Sequence, residues 1–373
     1  MLCNNPATFA LFRVTVKTKQ LKTGMTQRGA LTRWPSYGIL CVVTTIVFAL
    51  FACNSKRKIP DVSGVQVNVK VDRFEKDFFA IDTSQVEVSL NKLQSAYGPF
   101  LNDYLYNILA IPPFPDSVMH KVKLFIHDYK PIYDSVEQRF ASFKEGDEIK
   151  RGLQFVKYYF PKYNPPANII TFIGPLEGYG NVLTGSGIAV GLQLYLGKDF
   201  SIYHTEYINN VYPEYRSRRF EPTYIAANSI RNVIDDMFPY NTTGKPLIDQ
   251  MIEQGKRLYL LDQFLPEVAD SVKTGYTQRQ LEGCYKNEAF IWSFFLQNNL
   301  LYQNDPFQIR DYINDGPKTP ALNEASPGNI GQFIGWQIVK TWVDKNKEAT
   351  LETMMRTPAR QLFEEAKYKP KNP

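Results

Sequence analysis

The stretch 168–196, NIITFIGPLEGYGNVLTGSGIAVGLQLYL, decides the fold class. Its two ends, 168–173 and 188–196, are short apolar runs that read as strands. Between them lies a loop with glycines at 178, 180, 185 and 187. No Gly-Lys-Ser/Thr follows, so a turn or bulge between strands is expected rather than a phosphate cradle. Further upstream, Val65, Val67, Val69 and Val71 alternate with polar residues, which predicts one half-buried strand over 65–71. Helical spacing fills most of the rest. It predicts helices over 84–97 behind an Asp82/Thr83 cap, and over 99–109, 116–130, 131–143 and 147–160. Pro131 suits a helix start because its missing N–H would be unpaired there anyway. Downstream, helices are expected over 223–238, 246–265, 277–302 and 329–345, with a short one near 357–366. No repeat of 20–50 residues is visible. The fold class is therefore α+β, a mainly helical body with a small sheet.

The N-terminus is a different kind of sequence. Residues 1–52 hold Arg13, Lys17, Lys19, Lys22, Arg28 and Arg33 and no acid. Taking those six from the 43 Lys and Arg leaves 37, against 37 Asp and Glu, so the remainder is formally neutral. The basic pI belongs to the leader, and with no basic stripe elsewhere a nucleic-acid partner is excluded. Arg28 and Arg33 precede the uncharged, mainly apolar run 37–52 (YGILCVVTTIVFALFA), which ends at Ala52-Cys53. Sixteen residues suit a secretory signal core; a membrane span needs roughly 20. A small residue before a cysteine, with Leu50 three before it, resembles the lipobox of bacterial lipoproteins, although Phe51 is bulkier than usual there. The expectation is a lipoprotein signal over 1–52, cleaved between Ala52 and Cys53, with fatty acids such as palmitate on Cys53. A start at Met25 gives a signal of ordinary length and leaves 1–24 untranslated; the sequence leaves both starts open. Residues 53–64 would form a tether whose Lys56, Arg57 and Lys58 face anionic headgroups, and 65–373 one globular domain. With Cys3 and Cys41 removed and Cys53 lipidated, Cys284 has no disulfide partner.

Signs of chemistry in the body are few. The chain has three histidines, His120, His127 and His204. None stands in His-Glu-x-x-His, and His120 and His127 are expected to face solvent. No nucleophile elbow, Walker loop or dinucleotide fingerprint is present. In 329–345, Gly331 and Gly335 each cost a helix roughly 1 kcal/mol, and their four-residue spacing makes a smooth patch for a close helix. Core packing or a partner contact would each justify it.

Five features, in order along the chain, together resemble the gliding motility lipoprotein GldB of the Bacteroidota. They are the lipoprotein leader, VNVKVDRFEKDFF (67–79), LIDQMIEQGKRLYLLDQFLP (247–266), YTQRQLEGCYKNEAFIWSFFLQNNLLY (276–302) and SPGNIGQFIGWQIVKTW (326–342). That family is similar in turn to zinc-peptidase-like (zincin) domains, which carry a His-Glu-x-x-His helix and a Glu-Gly motif on a second helix. The resemblance places Asn228, Ser229 and Asn232 at the positions of that histidine, glutamate and histidine. The second helix keeps Glu253 but has Gln254 before Gly255. It thus implies a zincin-like fold with a degenerate metal site.

Zinc catalysis needs three strong ligands and a base for bound water. Two asparagines and a serine supply neither, so no metal, cofactor or catalysis is expected. Periodicity accounts for these residues otherwise. Ala226, Ala227, Ile230, Val233, Ile234, Met237 and Phe238 share one face, leaving Asn228, Asn232, Asp235 and Asp236 as a solvated one. Glu253, four before Arg257, fits an ion pair along the helix.

The resemblance implies a membrane-anchored, non-catalytic lipoprotein of the gliding motility and associated secretion machinery. The basic segment after Cys53, lacking an acidic run, favours a domain facing the periplasm. Expected partners are a membrane, through the lipid, and other envelope or motility proteins, with no small-molecule substrate. A zinc-dependent peptidase-like enzyme and a general cell-envelope lipoprotein are the alternatives.

Overall fold

The computed structural model describes residues 59–370. The sheet has four strands in the order β1-β2-β4-β3. These are β1 (Lys70–Arg73), β2 (Asn168–Phe172), β3 (Asn181–Thr184) and β4 (Gly187–Gly191). β2 runs parallel to β1 and β4, while β3 and β4 form an antiparallel hairpin. The turn of that hairpin needs glycine. Gly187 has φ +143°, and a Cβ there would fall 2.3 Å from the Asn168 carbonyl oxygen.

Both faces of the sheet are covered at its centre, which is why the inner strands β2 and β4 read as largely apolar runs. Ile170, Phe172 and Ala189 point into a smaller core with Phe74, Phe78 and Tyr104. Ile169, Ile188 and Val190 point the other way, into the main core. The smaller core is built from α1 (Phe74–Phe79), α2 (Val86–Tyr97), the helical segment 99–108 and α3 (Pro115–Asp128). The main core is walled by α4 (Lys130–Arg139), α5 (Glu145–Tyr159), α6 (Ile225–Met237) and α7 (Leu247–Phe264). Beyond them come α8 (Asp270–Thr274), α9 (Gln278–Lys286), α10 (Glu288–Gln297), α11 (Ile330–Lys345) and α12 (Ala359–Ala366).

The α7–α11 pair is the closest joint. A Cβ on Gly335 would stand 1.7 Å from the Met251 carbonyl oxygen, and one on Gly255 would stand 2.2 Å from the Gly335 carbonyl carbon. Gly331 is likewise hemmed in, by Tyr312 and Met251. Of the two purposes the Gly331/Gly335 spacing allowed, the structure shows core packing.

Four expectations need correction. The first strand is β1 at Lys70–Arg73 rather than 65–71. Val65, Val67 and Val69 pack against the core without joining the sheet, and the Val65 carbonyl accepts from the Gln154 side chain instead of a strand. The glycine-rich loop holds a strand of its own, β3. The run 188–196 leaves the sheet at Gly191 and turns into a short 3-10 segment, Leu192–Leu194. Finally, 277–302 is two helices broken at Asn287, whose backbone (φ −113°, ψ 18°) departs from helical values. In addition, Val62, within the segment read as tether, is fully buried in the main core.

Candidate functional site

Helix α6 is the wall from which the site is built. Its apolar residues Ala226, Ala227, Ile230, Val233 and Ile234 are buried in the main core. The opposite side carries Asn228, Arg231, Asn232 and Asp235, and these line a cleft of about 480 Å³. Arg216, Arg219, Asp315 and Gln332 reach the same cleft from elsewhere in the chain. It continues into a recess of about 190 Å³ that shares Arg231, Asp235, Asn329 and Gln332 and adds Gln254 and Arg257 from α7.

One wall is a fixed hydrogen-bond chain. Asn181 on β3 donates its Nδ2 to Ser229 Oγ at 2.7 Å, and Ser229 is fully buried. Tyr195 donates its hydroxyl to Asn181 Oδ1 and accepts from Asn228 Nδ2 at 2.8 Å. Burial pushes the Tyr195 hydroxyl well above its ordinary pKa, only partly offset by the Asn228 hydrogen bond. It stays protonated and serves as a strut between α6 and the sheet.

The facing wall is organised by the C-terminus of α8. Helix ends leave carbonyls without partners, and here side chains supply them. Arg231 donates to the Lys273 carbonyl, Gln332 Nε2 to that of Thr274 at 2.9 Å, and Arg218 to that of Gly275 at 2.7 Å. Gly275 takes the left-handed conformation, φ +73°, and a Cβ there would lie 2.9 Å from Arg219 Nη1.

The charges are unevenly matched. Asp315 pairs with Arg219 and, at 3.6 Å, with Arg216. Asp235 pairs with Arg257 at 3.2 Å, and Arg257 also stacks on Tyr240 and donates to the Phe238 carbonyl. Arg231 has no carboxylate within 4 Å among the described residues. Burial lowers its pKa first and the nearby Arg219 guanidinium adds to this, against the pull of Asp235 and Asp315; an arginine remains charged regardless.

The residues singled out from sequence are divided between different surroundings. Asn228 and Asn232 stand together on the cleft wall, Ser229 is buried behind them, and Glu253 is turned away. Its carboxylate meets Lys256 Nζ at 2.9 Å and Arg257 Nη1 at 3.3 Å, the latter being the ion pair its spacing suggested. From α7 it is Gln254 that lines the recess. These groups do not fit zinc. The Asn228 amide donates to Tyr195, the Ser229 oxygen is taken by Asn181, and among the described residues no three His, Cys, Asp or Glu side chains are grouped to hold a metal.

Residues 55–370 match the family model of the gliding motility protein GldB. The chain belongs to the GldB family. No curated protein and no solved structure matches it. Ala52 and Cys53 of this GldB-family chain lie outside the described residues, among which no helix is long and apolar enough to cross a membrane. His120 and His127 are exposed, as expected. Cys284 is buried with its thiol pushed up to about 12 by that burial, so it is a poor nucleophile.

Sequence reasoning missed most of the cleft. It placed Asn228, Asn232 and Asp235 on a solvated face and gave Arg216, Arg219, Arg231, Asp315 and Gln332 no role. The available signal was the arginine cluster 216–219 and Arg231 on the polar side of an otherwise amphipathic helix.

Proposed function

We propose that this GldB-family lipoprotein is a lipid-anchored, non-catalytic component of the gliding motility machinery and its linked secretion apparatus, held through Cys53 with its domain in the periplasm. The family match carries the motility role. The lipobox-like Leu50-Phe51-Ala52-Cys53 supports the anchor, and the neutral, basic-tethered body supports the periplasmic side. The non-catalytic reading rests on Asn228 and Ser229. Their polar groups are engaged with Tyr195 and Asn181 at positions where a zincin would present a zinc ligand and a base.

Two measurements test this. Elemental analysis of the purified full chain should find far less than one zinc per molecule; stoichiometric zinc, lost on Asn228→Leu, would restore the peptidase reading. Fatty-acid labelling in cells should be abolished by Cys53→Ala, with the protein released from membranes, and persistent labelling would refute the anchor.

A further inference from the structure

Nothing in the sequence pattern pointed to a small ligand, yet the cleft beside α6 has the form of a receptor site. Three observations converge there. First, one arginine of the cleft has no ion pair among the described residues. Asp235 is matched to Arg257 and Asp315 to Arg219 and Arg216. Arg231, at the junction of cleft and recess, uses an Nη2 hydrogen bond to the Lys273 carbonyl and retains further N–H groups without a carboxylate. Asp235 and Asp315 attract it only from beyond ion-pair distance, and a desolvated guanidinium with no direct ion pair gains from an anion that joins it.

Second, two acceptors are left over. Gln254 Oε1 and Asn329 Oδ1 are buried and lack any hydrogen-bond donor, and both residues line the recess. The Gln254 amide is not simply reversed, because its Nε2 donates to the Ile313 carbonyl at 2.9 Å. Buried polar groups in native proteins are rarely left unpaired, and an unfilled acceptor marks a place for a donor. Third, four carboxamides, Asn181, Asn228, Asn232 and Gln332, stand in the walls among aromatic residues such as Tyr212, Phe220 and Tyr224. Asn232 has both its donor and its acceptor open among the described residues, and the Asn228 and Gln332 oxygens accept no bond there while their amide nitrogens are engaged, which suits a ligand carrying both C=O and N–H or O–H groups.

We propose that this cleft binds a small monoanionic ligand, its carboxylate paired with Arg231 and its neighbouring N–H or O–H groups meeting Gln254 and Asn329. With Asp235 and Asp315 already paired, one guanidinium without an ion pair calls for a single negative charge, which separates a carboxylate from a dianionic phosphate. The end of a peptide and a sugar acid share this chemistry. The volume of about 480 Å³ is that of a small-ligand site.

The test is isothermal titration of the detergent-solubilised full chain with tri-alanine, tri-alaninamide, glucuronate and inorganic phosphate. Saturable binding of tri-alanine that is lost with the amide assigns a peptide end, and binding of glucuronate instead assigns a sugar acid. Arg231→Gln should weaken the binding at least tenfold. Because Arg231 also caps α8, Asn232→Leu is the second variant. It closes the cleft at a side chain with no hydrogen-bond partner among the described residues, and should weaken binding equally while leaving the melting temperature unchanged. Absence of binding by every carboxylate, binding indifferent to both variants, or a preference for phosphate would each overturn the assignment.

Discussion

The α7–α11 joint and the α6 cleft lie on opposite sides of α7 in character, although both use that helix. At the joint, Gly255 and Gly335 bring two backbones together with no room for a methyl group. At the cleft, Gln254 and Arg257, neighbours of Gly255 in sequence, face a polar recess with unmatched groups. Rigidity and openness are adjacent here. A close-packed joint fixes the helix that carries one wall of the cleft. The joint tolerates almost no change, whereas the cleft should tolerate change in stability but not in binding.

Substitutions at the two places should separate them. Gly335→Val should have the largest effect, since its side chain meets the Met251 backbone and neither partner can give. A loss beyond about 4 kcal/mol, read as absence of a cooperative melt, is expected. A mild shift would show that the helices can separate. Arg257→Ala comes next, at about 2 kcal/mol, because it leaves Glu253 short of a partner and the Phe238 carbonyl unfilled. Urea unfolding measures it; the figure is below that of a fully buried pair because Asp235 is exposed.

Glu75, on α1 and hydrogen-bonded to Thr171 of β2, gives a pH-dependent effect. It is almost completely buried, and desolvation raises its pKa above the ordinary 4.5, against the pull of Arg73 and Thr171. The folded state therefore holds this proton more tightly than the unfolded chain. Its contribution to stability is present below pH 4.5 and is lost as pH rises through the folded pKa. Glu75→Gln should remove that decline, seen as melting curves that converge with the parent's at low pH and exceed them toward neutrality. The smallest effect is of opposite sign. At Gly283, inside α9, an added methyl group would meet nothing within 4 Å, so Gly283→Ala should stabilise by about 0.5–1 kcal/mol. Equal responses at Gly283 and Gly335 would contradict the distinction between a propensity cost and a packing requirement.

Much of the scaffold was legible because it depends on local periodicity. Gly331 and Gly335 announced a close helix contact by spacing alone, though not that α7 was the partner. The short strand β3 was hidden because Asn181–Thr184 has only two apolar residues within a glycine-rich loop. The break at Asn287 carried no proline or glycine to mark it. The cleft was less legible still. Periodicity shows that Asn228, Asn232 and Asp235 share a polar face, but a polar face reads alike whether water or Arg219, Asp315 and Gln332 lies across from it. Those residues come from distant segments, and only the tertiary fold sets them opposite α6.

Deletion of the gene in a gliding host, followed by complementation, tests the motility role. Loss of colony spreading and of adhesin secretion is predicted, restored by the parent chain but not by Cys53→Ala. Spreading and secretion unchanged by the deletion would contradict the motility role and leave a general envelope lipoprotein in its place.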